Sequence, residues 1–456
     1  MTGVVMKFGG TSVADPAAIE RLIGIVRHRP VLSKTPTDGA PVVVVSALAG
    51  VTDTLVAVSR LAEEGQAVRA EEQVRALLER HVAVASAVAD ERRAALVADV
   101  RREFDELIGL VHALAVLREV SPRSLDAMLA VGELASSRMV AAALADHGIA
   151  SEWLDARQVL ITDSEHTGAV PDMIETCERA HEHLVPVRAT GAVAVLGGFI
   201  GSTADGVTTT LGRGGSDYSA AILGACLGAG EIQIWTDVDG MLTADPRIVP
   251  HPRVVPQLSF SEASELAYFG AKVLHPSTIL PAVSKGIPVR ILNSRHPDRR
   301  GTLIAAHAQT AEGELTAIAC KRDVTVIDIT STRMLMAHGF LRRLFEVFER
   351  FKTAVDVVTT SEVSVSVTVD DTRRLDAILD NLRSFAEASC EPEMAIICAV
   401  GENLRADATL FGRAVRALDG VPLRLVSQAA SRRNVTFVLR NADVPHAMMR
   451  LHETFF

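Results

Sequence analysis

Short runs of apolar residues recur along the first two thirds of the chain, and each run is followed by a polar or glycine-rich turn. The runs at 4–8, 42–45, 192–196, 232–235 and 288–292 have the length and composition of strands buried on both faces. Between them, apolar residues recur at helical spacing. This alternation predicts an α/β domain with a mainly parallel, open sheet and helices on both faces.

Helical patterns fill the long intervals between the predicted strands. Residues 55–118 are rich in Ala, Glu, Arg and Leu at helical spacing, which predicts several surface helices with solvated charged faces. Further helices are predicted at 126–146 and 218–228. Gly, Thr, Ser or Asp residues follow the predicted strands, so we expect a ligand crevice along the carboxyl ends of those strands.

The pattern changes after a small, polar stretch at 305–314, which is a predicted linker that ends a first domain at 1–304. From there, strand and helix patterns follow the order strand–helix–strand–strand–helix twice, which is typical of ferredoxin-like α+β modules. We expect the first module at 322–392. The second is expected at 393–456, with 315–321 pairing to it, so that the first module is inserted within the second.

Composition narrows the class of protein and of partner. Of the 456 residues, 48% are hydrophobic and 22% are charged, as is ordinary for a globular protein. The net charge of −10 and the lack of a basic stripe argue against a nucleic-acid partner. The sequence shows no signal peptide and no apolar run of the roughly 18–20 residues that a membrane helix needs. We therefore expect no membrane association and a cytoplasmic location.

Cysteine usage bears on redox state and on metal binding. The five cysteines are scattered and form no C-x-x-C pair. This spacing favours reduced thiols over a disulfide framework or a zinc site. No metal site built from protein residues alone is predicted.

The stretch TTLGRGGSDYS at 209–219 carries the strongest chemical signal in the sequence. Three glycines surround Arg213, and an apolar helical run follows. Glycines let backbone N–H groups approach a ligand, a helix start adds unpaired N–H groups, and arginine grips an anion with two parallel hydrogen bonds. The stretch therefore predicts an anion-binding turn between a strand and a helix. The simpler alternative is a tight turn in which Ser216 or Asp217 caps the helix.

A second candidate lies at the end of the first predicted strand. Lys7 precedes Gly9 and Gly10, an arrangement that places a cation and open backbone beside a phosphate, although a surface lysine next to a turn would look the same. The Walker pattern GxxxxGK[ST] is absent, as are the HRD and DFG strings of protein kinases. A bound nucleotide is therefore expected on a different scaffold.

Other charged residues are ambiguous when each is taken alone. Asp237 and Asp239 in TDVDG could contact a nucleotide or Mg²⁺, or could form an Asp-Gly turn. Glu133 lies in an otherwise apolar helical pattern and could hold an ammonium group, or could be a surface side chain. Arg247 and Lys272 could neutralise phosphate charge, or could simply be solvated.

Taken together, these strings resemble one family over essentially the whole chain. The first domain is similar to the aspartate kinases of the amino acid kinase fold, through the strings KFGGTSVAD, VVVVSALAGVTD, GFIGST, TTTLGRGGSDYSA, WTDVDGMLTADPR and FGAKVLHP. The C-terminal part resembles their paired ACT regulatory modules, through the strings SEVSVSVTVD and SQAASRRNVTFVL. The order of the parts resembles the monofunctional forms, which lack a fused homoserine dehydrogenase.

The resemblance implies phosphoryl transfer from ATP, with Mg²⁺, to the β-carboxylate of L-aspartate. The product would be 4-phospho-L-aspartate, the entry to lysine, threonine and methionine biosynthesis. The aspartate carboxylate is already ionised at neutral pH, so the reaction needs no general base. Two anions must meet instead, and catalysis becomes positioning and charge neutralisation.

The resemblance also implies roles for individual residues. The expected catalytic residues are Lys7, Arg213 and Asp217. The residues expected to bind the amino acid, with Arg213 on the α-carboxylate and Glu133 on the α-ammonium, are Ser46, Glu133, Arg213 and Ser216. The residues expected to contact the nucleotide are Lys7, Gly9, Gly10, Thr236, Asp237, Arg247 and Lys272.

Regulation is a further expectation from the resemblance. ACT modules of this family pair across a homo-oligomer and bind an end-product amino acid at the seam. The positions that match lysine contacts of lysine-sensitive relatives are Met334, Gly339, Phe340, Leu341, Asp356, Ser361 and Glu362. We expect inhibition by lysine, with threonine as the alternative.

Two other functions stay open on the residues alone. A different kinase of the same fold could phosphorylate another acid such as N-acetylglutamate, but Glu133 together with Arg213 favours a free α-amino acid. A catalytically silent amino-acid sensor would use only the ACT modules, and the presence of Lys7, Arg213 and Asp217 argues against it. A dehydrogenase is disfavoured because no GxGxxG follows the first strand.

Overall fold

The computed structural model describes residues 3–28, 39–270, 276–307, 314–331, 338–428 and 432–456. Its internal contacts divide the chain into two compact units. The N-terminal unit comprises Met1–Met241 and Val273–His307, and the C-terminal unit comprises Leu242–Lys272 and Ala308–Phe456. The expected first domain, 1–304, differs from the N-terminal unit in the segment Leu242–Lys272 and at its end, since the unit runs on to His307.

Contacts inside the C-terminal unit explain why this segment belongs to it. The Ile318 N–H donates to the Thr243 carbonyl at 2.8 Å. Ala244 and Val249 pack in the same apolar core as Ile318. These contacts join parts of the chain that are distant in sequence, so the local pattern carries no signal for them.

The elements follow the predicted alternation of strands and helices. The strands are β1 (Val4–Phe8), β2 (Val42–Val45), β3 (Ser151–Trp153), β4 (Ile161–Thr162), β5 (Val193–Gly197), β6 (Ile200–Thr203), β7 (Thr208–Thr210), β8 (Glu231–Thr236), β9 (Gln257–Ser259), β10 (Val289–Asn293), β11 (Thr302–Ala305), β12 (Leu315–Thr330), β13 (Val358–Thr360), β14 (Ser364–Val369), β15 (Glu387–Gly401), β16 (Leu425–Gln428) and β17 (Asn434–Arg440). The α-helices are α1 (Pro16–His28), α2 (Val51–Glu63), α3 (Ala67–Val88), α4 (Arg93–Leu117), α5 (Pro122–Asp146), α6 (Met173–Ala189), α7 (Gly215–Leu227), α8 (Phe260–Tyr268), α9 (Leu280–Ser284), α10 (Phe340–Arg350), α11 (Leu375–Arg383), α12 (Leu410–Ala417) and α13 (Val444–Phe455).

The N-terminal unit is built on a mainly parallel sheet with the strand order β3-β5-β2-β1-β8-β10-β11. β1 lies between β2 and β8 and is parallel to both, so that Val5 pairs with Val42 on one side and with Ile232 on the other. β11 is antiparallel to β10 at the edge. The central strands are continuous apolar runs because both faces of the sheet are covered. The predicted fold class is confirmed.

The helices α2 to α5 contribute much of the core of this unit. Their apolar stripes bury Leu55, Leu77, Phe104 and Met128 in one cluster. The charged faces of these helices are exposed as expected, whereas their apolar faces form much of the core, which the expectation of surface helices did not include. Among the described residues, α5 has the length and composition of a membrane-crossing helix, and most of it is buried inside the unit.

The C-terminal unit holds a six-stranded antiparallel sheet in the order β13-β14-β12-β15-β17-β16. β12 and β15 are long and run through both halves of the sheet. β12 includes both LTAIAC and most of TVIDITST, which the sequence predicts as separate strands, and register shifts between Leu315 and Val326 mark irregular pairing with β15.

Each half of this sheet has its own apolar core. Helices α10 and α11 cover one half, where Ile327 and Phe348 are buried. Helices α12 and α13 cover the other half, where Ile318 and Phe437 are buried. The first part of β12 thus packs with the later module, and its second part packs with the earlier one. Both halves have the strand order of a ferredoxin-like module.

One expectation about cysteines is wrong. Cys177 in α6 and Cys226 in α7 form a disulfide across 49 positions of sequence. The packing of α6 against α7 brings the two thiols together, and neither residue lies in a motif that would reveal the pair. Cys320, Cys390 and Cys398 are free.

Candidate active site

The carboxyl ends of the central parallel strands open into a cleft of about 570 Å³ in the N-terminal unit. Lys7 lies near the end of β1, and Ser46 directly follows β2. Parallel strands point their carboxyl ends to one edge of a sheet, so residues distant in sequence meet there. Seven residues predicted from the sequence line this cleft, namely Lys7, Gly10, Ser46, Glu133, Arg213, Ser216 and Asp217.

Lys7 and Asp217, which both line the cleft, form an ion pair. The Lys7 Nζ lies 2.7 Å from the Asp217 carboxylate, and their side chains are 11% and 14% exposed. A lysine held in this way costs less entropy to orient toward a ligand than a freely rotating one. Gly9 lies beside it, donating its N–H to the Trp235 carbonyl at 2.9 Å, which ties β1 to β8.

The glycine-rich stretch forms a turn followed by the start of α7. Gly212 and Gly214 have φ of +74° and +73°, a conformation that side chains other than glycine adopt only with strain. Gly214 is the N-cap, and no side chain caps this helix end. The Gly215 and Asp217 N–H groups donate to the Gly212 and Gly214 carbonyls at 3.0 Å. The positive end of the α7 dipole faces the cleft, and exposed Arg213 lies beside it. The turn has the features of an anion site.

Glu133 is the one strongly perturbed acid of the cleft. It is 3% exposed, and its Oε2 has no hydrogen-bond partner among the described residues. Burial raises the pKa of Glu133 to about 8, although hydrogen bonding to the Ala47 backbone and the charge of Lys7 act the other way. A buried acceptor without a partner suits an ammonium group of a ligand.

A glycine allows α5 to bring Glu133 this close to the strand ends. A Cβ atom at Gly132 would lie 2.8 Å from the Ala47 Cβ and 3.2 Å from Val51. Any larger residue would push α5 away from the turn that follows β2. The Gly132-Glu133 pair thus combines close packing with a buried charge site.

The cleft therefore brings together a site for an anion, a site for a cation and a lysine side chain. Arg213 and the α7 N-terminus suit a carboxylate, and Glu133 suits an ammonium group. Lys7 suits a further anion such as a phosphoryl group. A free α-amino acid carries the first two of these groups next to each other.

Comparisons with known proteins agree with this arrangement. The amino acid kinase family profile matches residues 2–293, and an ACT domain profile matches residues 397–455. Lysine-sensitive aspartokinase 3 of Escherichia coli (strain K12) is 34% identical over 465 residues, which cover 99% of both chains. The chain belongs to the aspartokinase family. Chloroplastic aspartokinase 3 of Arabidopsis thaliana is 36% identical over 99% of this chain and 81% of its own length.

Solved aspartokinase structures match over the full length. The E. coli aspartokinase III complex with aspartate and ADP, in the R-state, has a TM-score of 0.84 and 33% identity, and all of both chains is covered. The complex of the same enzyme with lysine and aspartate, in the T-state, has a TM-score of 0.81 and 34% identity and covers 100% of this chain and 99% of that one. The resemblance found in the sequence is confirmed.

The predicted nucleotide contacts are only partly brought together. Thr236 ends β8 and exposed Asp237 follows it, on the strand next to β1. Neither residue is among those that line the cleft. Arg247 lies in the C-terminal unit, where its guanidinium binds the Asp245 carboxylate at 2.6 Å. Lys272 lies outside the described residues.

The predicted regulatory positions lie in the earlier module of the C-terminal unit. Gly339 caps α10 with φ of +88°, and Phe340 and Leu341 begin that helix. Ser361 and Glu362 are exposed in the turn before β14. Met334 lies outside the described residues.

Asp356 differs from the other regulatory positions because its carboxylate is already engaged. Its side chain is 2% exposed, and the Lys321 Nζ lies 2.8 Å from Oδ1. The Tyr268 hydroxyl donates to the same oxygen at 2.8 Å. A lysine of the chain itself thus already pairs with one of the predicted regulatory positions.

Several residues of the cleft escape sequence reasoning. Thr167 and Thr210 line it from the loop before α6 and from the end of β7. Thr167 has φ of +69°, which is uncommon for a threonine. Local spacing gives no signal for either residue, because the fold alone places them beside the glycine-rich turn.

Proposed function

We propose that this cleft transfers the γ-phosphoryl group of ATP to the β-carboxylate of L-aspartate, giving ADP and 4-phospho-L-aspartate. The observation that carries the proposal is the meeting of Lys7, Glu133 and the Arg213 turn in one cleft. The relative from E. coli, solved with aspartate and ADP, supports the same pair of ligands.

The amino-acid end of the substrate is held by opposite charges. The guanidinium of Arg213 takes the α-carboxylate, and the buried carboxylate of Glu133 takes the α-ammonium. An acylated nitrogen carries no charge and would leave Glu133 without a partner in an apolar environment, which is costly. This pair therefore selects a free amino acid over an acid such as N-acetylglutamate. Ser46 and Ser216 lie near the β-carboxylate.

The reacting end of the site works by charge neutralisation. The β-carboxylate is ionised at neutral pH and attacks the γ-phosphorus, so no residue has to remove a proton. Lys7, oriented by Asp217, neutralises the charge that gathers on the transferring group. The positive end of the α7 dipole lies at the same cleft. Water is largely excluded around Lys7 and Glu133, which strengthens these interactions.

Nucleotide binding involves the neighbouring strand and charged residues further along the chain. Thr236 and Asp237, at the end of the strand next to β1, contact the nucleotide beyond Gly9. For Arg247 and Lys272, contact with its phosphates stays a prediction from the sequence. Mg²⁺ enters with ATP as part of the substrate and withdraws charge from the phosphates. No cluster of three or more acidic, His or Cys side chains suited to a metal occurs among the described residues.

Regulation acts through the earlier ACT module. We propose that lysine inhibits the enzyme at a seam between modules of two chains in a homo-oligomer, where Gly339, Phe340 and Leu341 receive its carboxylate. The complex of E. coli aspartokinase III with lysine supports this choice of effector. The effector ammonium must then compete with Lys321 for Asp356. Threonine is the alternative effector.

A trapping assay tests the reaction directly. Purified protein is mixed with MgATP, hydroxylamine and one acid from a panel of L-aspartate, L-glutamate, N-acetyl-L-aspartate and N-acetyl-L-glutamate, and the acyl hydroxamate is measured by its iron complex. Colour with L-aspartate alone supports the proposal. Colour with an N-acetylated acid would indicate a different kinase of the same fold, and no colour with any acid would indicate an amino-acid sensor.

A further inference from the structure

A buried carboxylate outside the lining of the cleft connects three elements that build it. Asp126 in α5 is fully buried. Its Oδ1 accepts a hydrogen bond from the Thr210 hydroxyl at 2.5 Å, and the Thr167 N–H lies 3.1 Å from both carboxylate oxygens. The His166 Nδ1 lies 2.7 Å from Oδ2. The carboxylate thus has partners on both oxygens, as a buried charge requires.

The partners of Asp126 flank the segment that carries Arg213. Thr210 is the last residue of β7 and precedes Arg213 by three positions. Thr167 also packs closely against this segment, because a Cβ atom added at Gly212 would lie 3.1 Å from the Thr167 carbonyl oxygen. The Ala169 N–H donates to the Thr210 carbonyl at 2.9 Å, which joins the same loop to the end of β7.

Asp126 and Glu133 belong to the same rigid element. They are seven positions apart in α5, which is close to two helical turns and places them on one face. The turn that carries Arg213 has glycines in the left-handed region on both sides of it. Backbone hydrogen bonds from Leu211 to Phe199 and from Gly215 to Gly212 hold the turn locally. Thr210 and Thr167 are the contacts that connect it to α5 through Asp126.

We propose that Asp126 is a positioning residue that sets the separation between Glu133 and Arg213. It ties the helix that carries the ammonium-binding carboxylate to the strand and loop that hold the carboxylate-binding arginine. The α-ammonium and α-carboxylate of an amino acid have a fixed separation, so this tie governs how well both groups are bound at once. The inference rests on the proposed function, because it assigns Glu133 and Arg213 to the two ends of one substrate.

The test uses pairs of variants at Asp126 and Thr210. Asp126→Ala removes the whole tie, and Thr210→Val removes its link to β7 while the Thr167 and His166 contacts stay. Asp126→Asn keeps an oxygen for Thr210 and the Thr167 N–H, and its amide can donate to a neutral His166. Thr210→Ser keeps the hydroxyl. We expect Asp126→Ala and Thr210→Val to raise the KM for aspartate about tenfold or more, while the conservative variants recover most of the loss.

The chain offers a matched control in the next residue. Thr209 is also fully buried in β7, and its hydroxyl bonds to the Thr162 hydroxyl at 2.7 Å instead of Asp126. Thr209→Val therefore removes a buried threonine hydroxyl and its hydrogen bond from the same strand, with no change to the tie. We expect it to lower thermal stability and to leave the KM for aspartate within about twofold of the wild type.

The KM for ATP distinguishes a loss of aspartate positioning from a general disruption of the active site. The tie does not involve β1 or β8, so the KM for ATP should stay within about twofold in every variant. Equal rises in both KM values, or a fall in stability with an unchanged KM for aspartate, would overturn the inference. If Asp126→Ala fails to fold, Thr210→Val against Thr209→Val decides the matter. Failure of the proposed function itself would appear separately, as wild-type protein that gives no aspartyl hydroxamate.

Discussion

Glu133 leads to a prediction about protons that follows from burial alone. Burial raises the pKa of this carboxyl to about 8. When the α-ammonium of aspartate binds, an opposite charge arrives at the unpaired oxygen and favours the ionised form. Binding of aspartate must therefore release the proton of Glu133 into solution.

The magnitude follows from the pKa. A group with a pKa of about 8 is about nine-tenths protonated at about pH 7, so about 0.9 proton should leave per aspartate bound. At about pH 9 the same group is mostly ionised before binding, and only about 0.1 proton should leave. By linkage, the affinity for aspartate should rise nearly tenfold per pH unit below pH 8 and level off above it.

Isothermal titration calorimetry measures this release. Aspartate is titrated into the protein in buffers of different ionisation enthalpy at one pH, and the slope of observed enthalpy against buffer enthalpy gives the protons released. The Glu133→Gln variant binds aspartate more weakly and should show a slope near zero. A slope near zero for the wild type at neutral pH, with saturable binding, would refute the assignment of Glu133 to the ammonium.

Three further predictions concern catalysis, regulation and stability. Replacing Lys7 by Met should lower turnover about a thousandfold or more with circular dichroism unchanged, whereas Lys285→Met at an exposed helix end should not change the rate. Replacing Lys321 by Met removes the internal competitor for Asp356, so the lysine concentration that gives half-inhibition should fall about tenfold. An unchanged concentration would contradict the competition. Burial lowers the pKa of His81 to about 4, so unfolding takes up a proton between that pH and about pH 6.5. In urea denaturation, the free energy of unfolding should fall by about 3 kcal/mol as the pH falls through this window. His81→Leu should make the free energy of unfolding nearly independent of pH in the same window.

The fold class and the candidate anion sites could be predicted from local sequence patterns. Continuous valine-rich runs such as Val42–Val45 have the length and the β-branched composition of strands buried on both faces, and these runs form the central sheet. Lys7 with its two glycines and Arg213 with its three could be found because the chemistry lies within a few adjacent residues. Glu133 could be found because a charge in an apolar helix needs a reason.

Contacts between distant parts of the chain could not be predicted from local patterns. Lys7 and Asp217 are far apart in sequence, and local patterns pick out both residues but do not predict that they form an ion pair. The same holds for the Cys177–Cys226 disulfide. Asp126 looks like a surface residue near a helix start, and its burial appears only once Thr210 and the preceding loop are in place.

The engagement of Asp356 shows a different limit of sequence reasoning. Its type and position suit an effector ammonium, and the residue resembles an open binding group in the sequence. The fold instead places Lys321 and Tyr268 on it. A residue type indicates which chemistry is available, and only the surroundings show whether a ligand must displace something to use it.

The central claim is that fixed positive groups join two anions and that no residue abstracts a proton. The rate of phosphoryl transfer in a single turnover, with MgATP and aspartate both saturating, tests it most directly. From about pH 6.5 to about pH 8.5 the rate should vary by no more than about twofold, because the attacking carboxylate is ionised throughout. A rate that falls about tenfold per pH unit toward the acid side, despite saturation, would reveal a general base and contradict the claim.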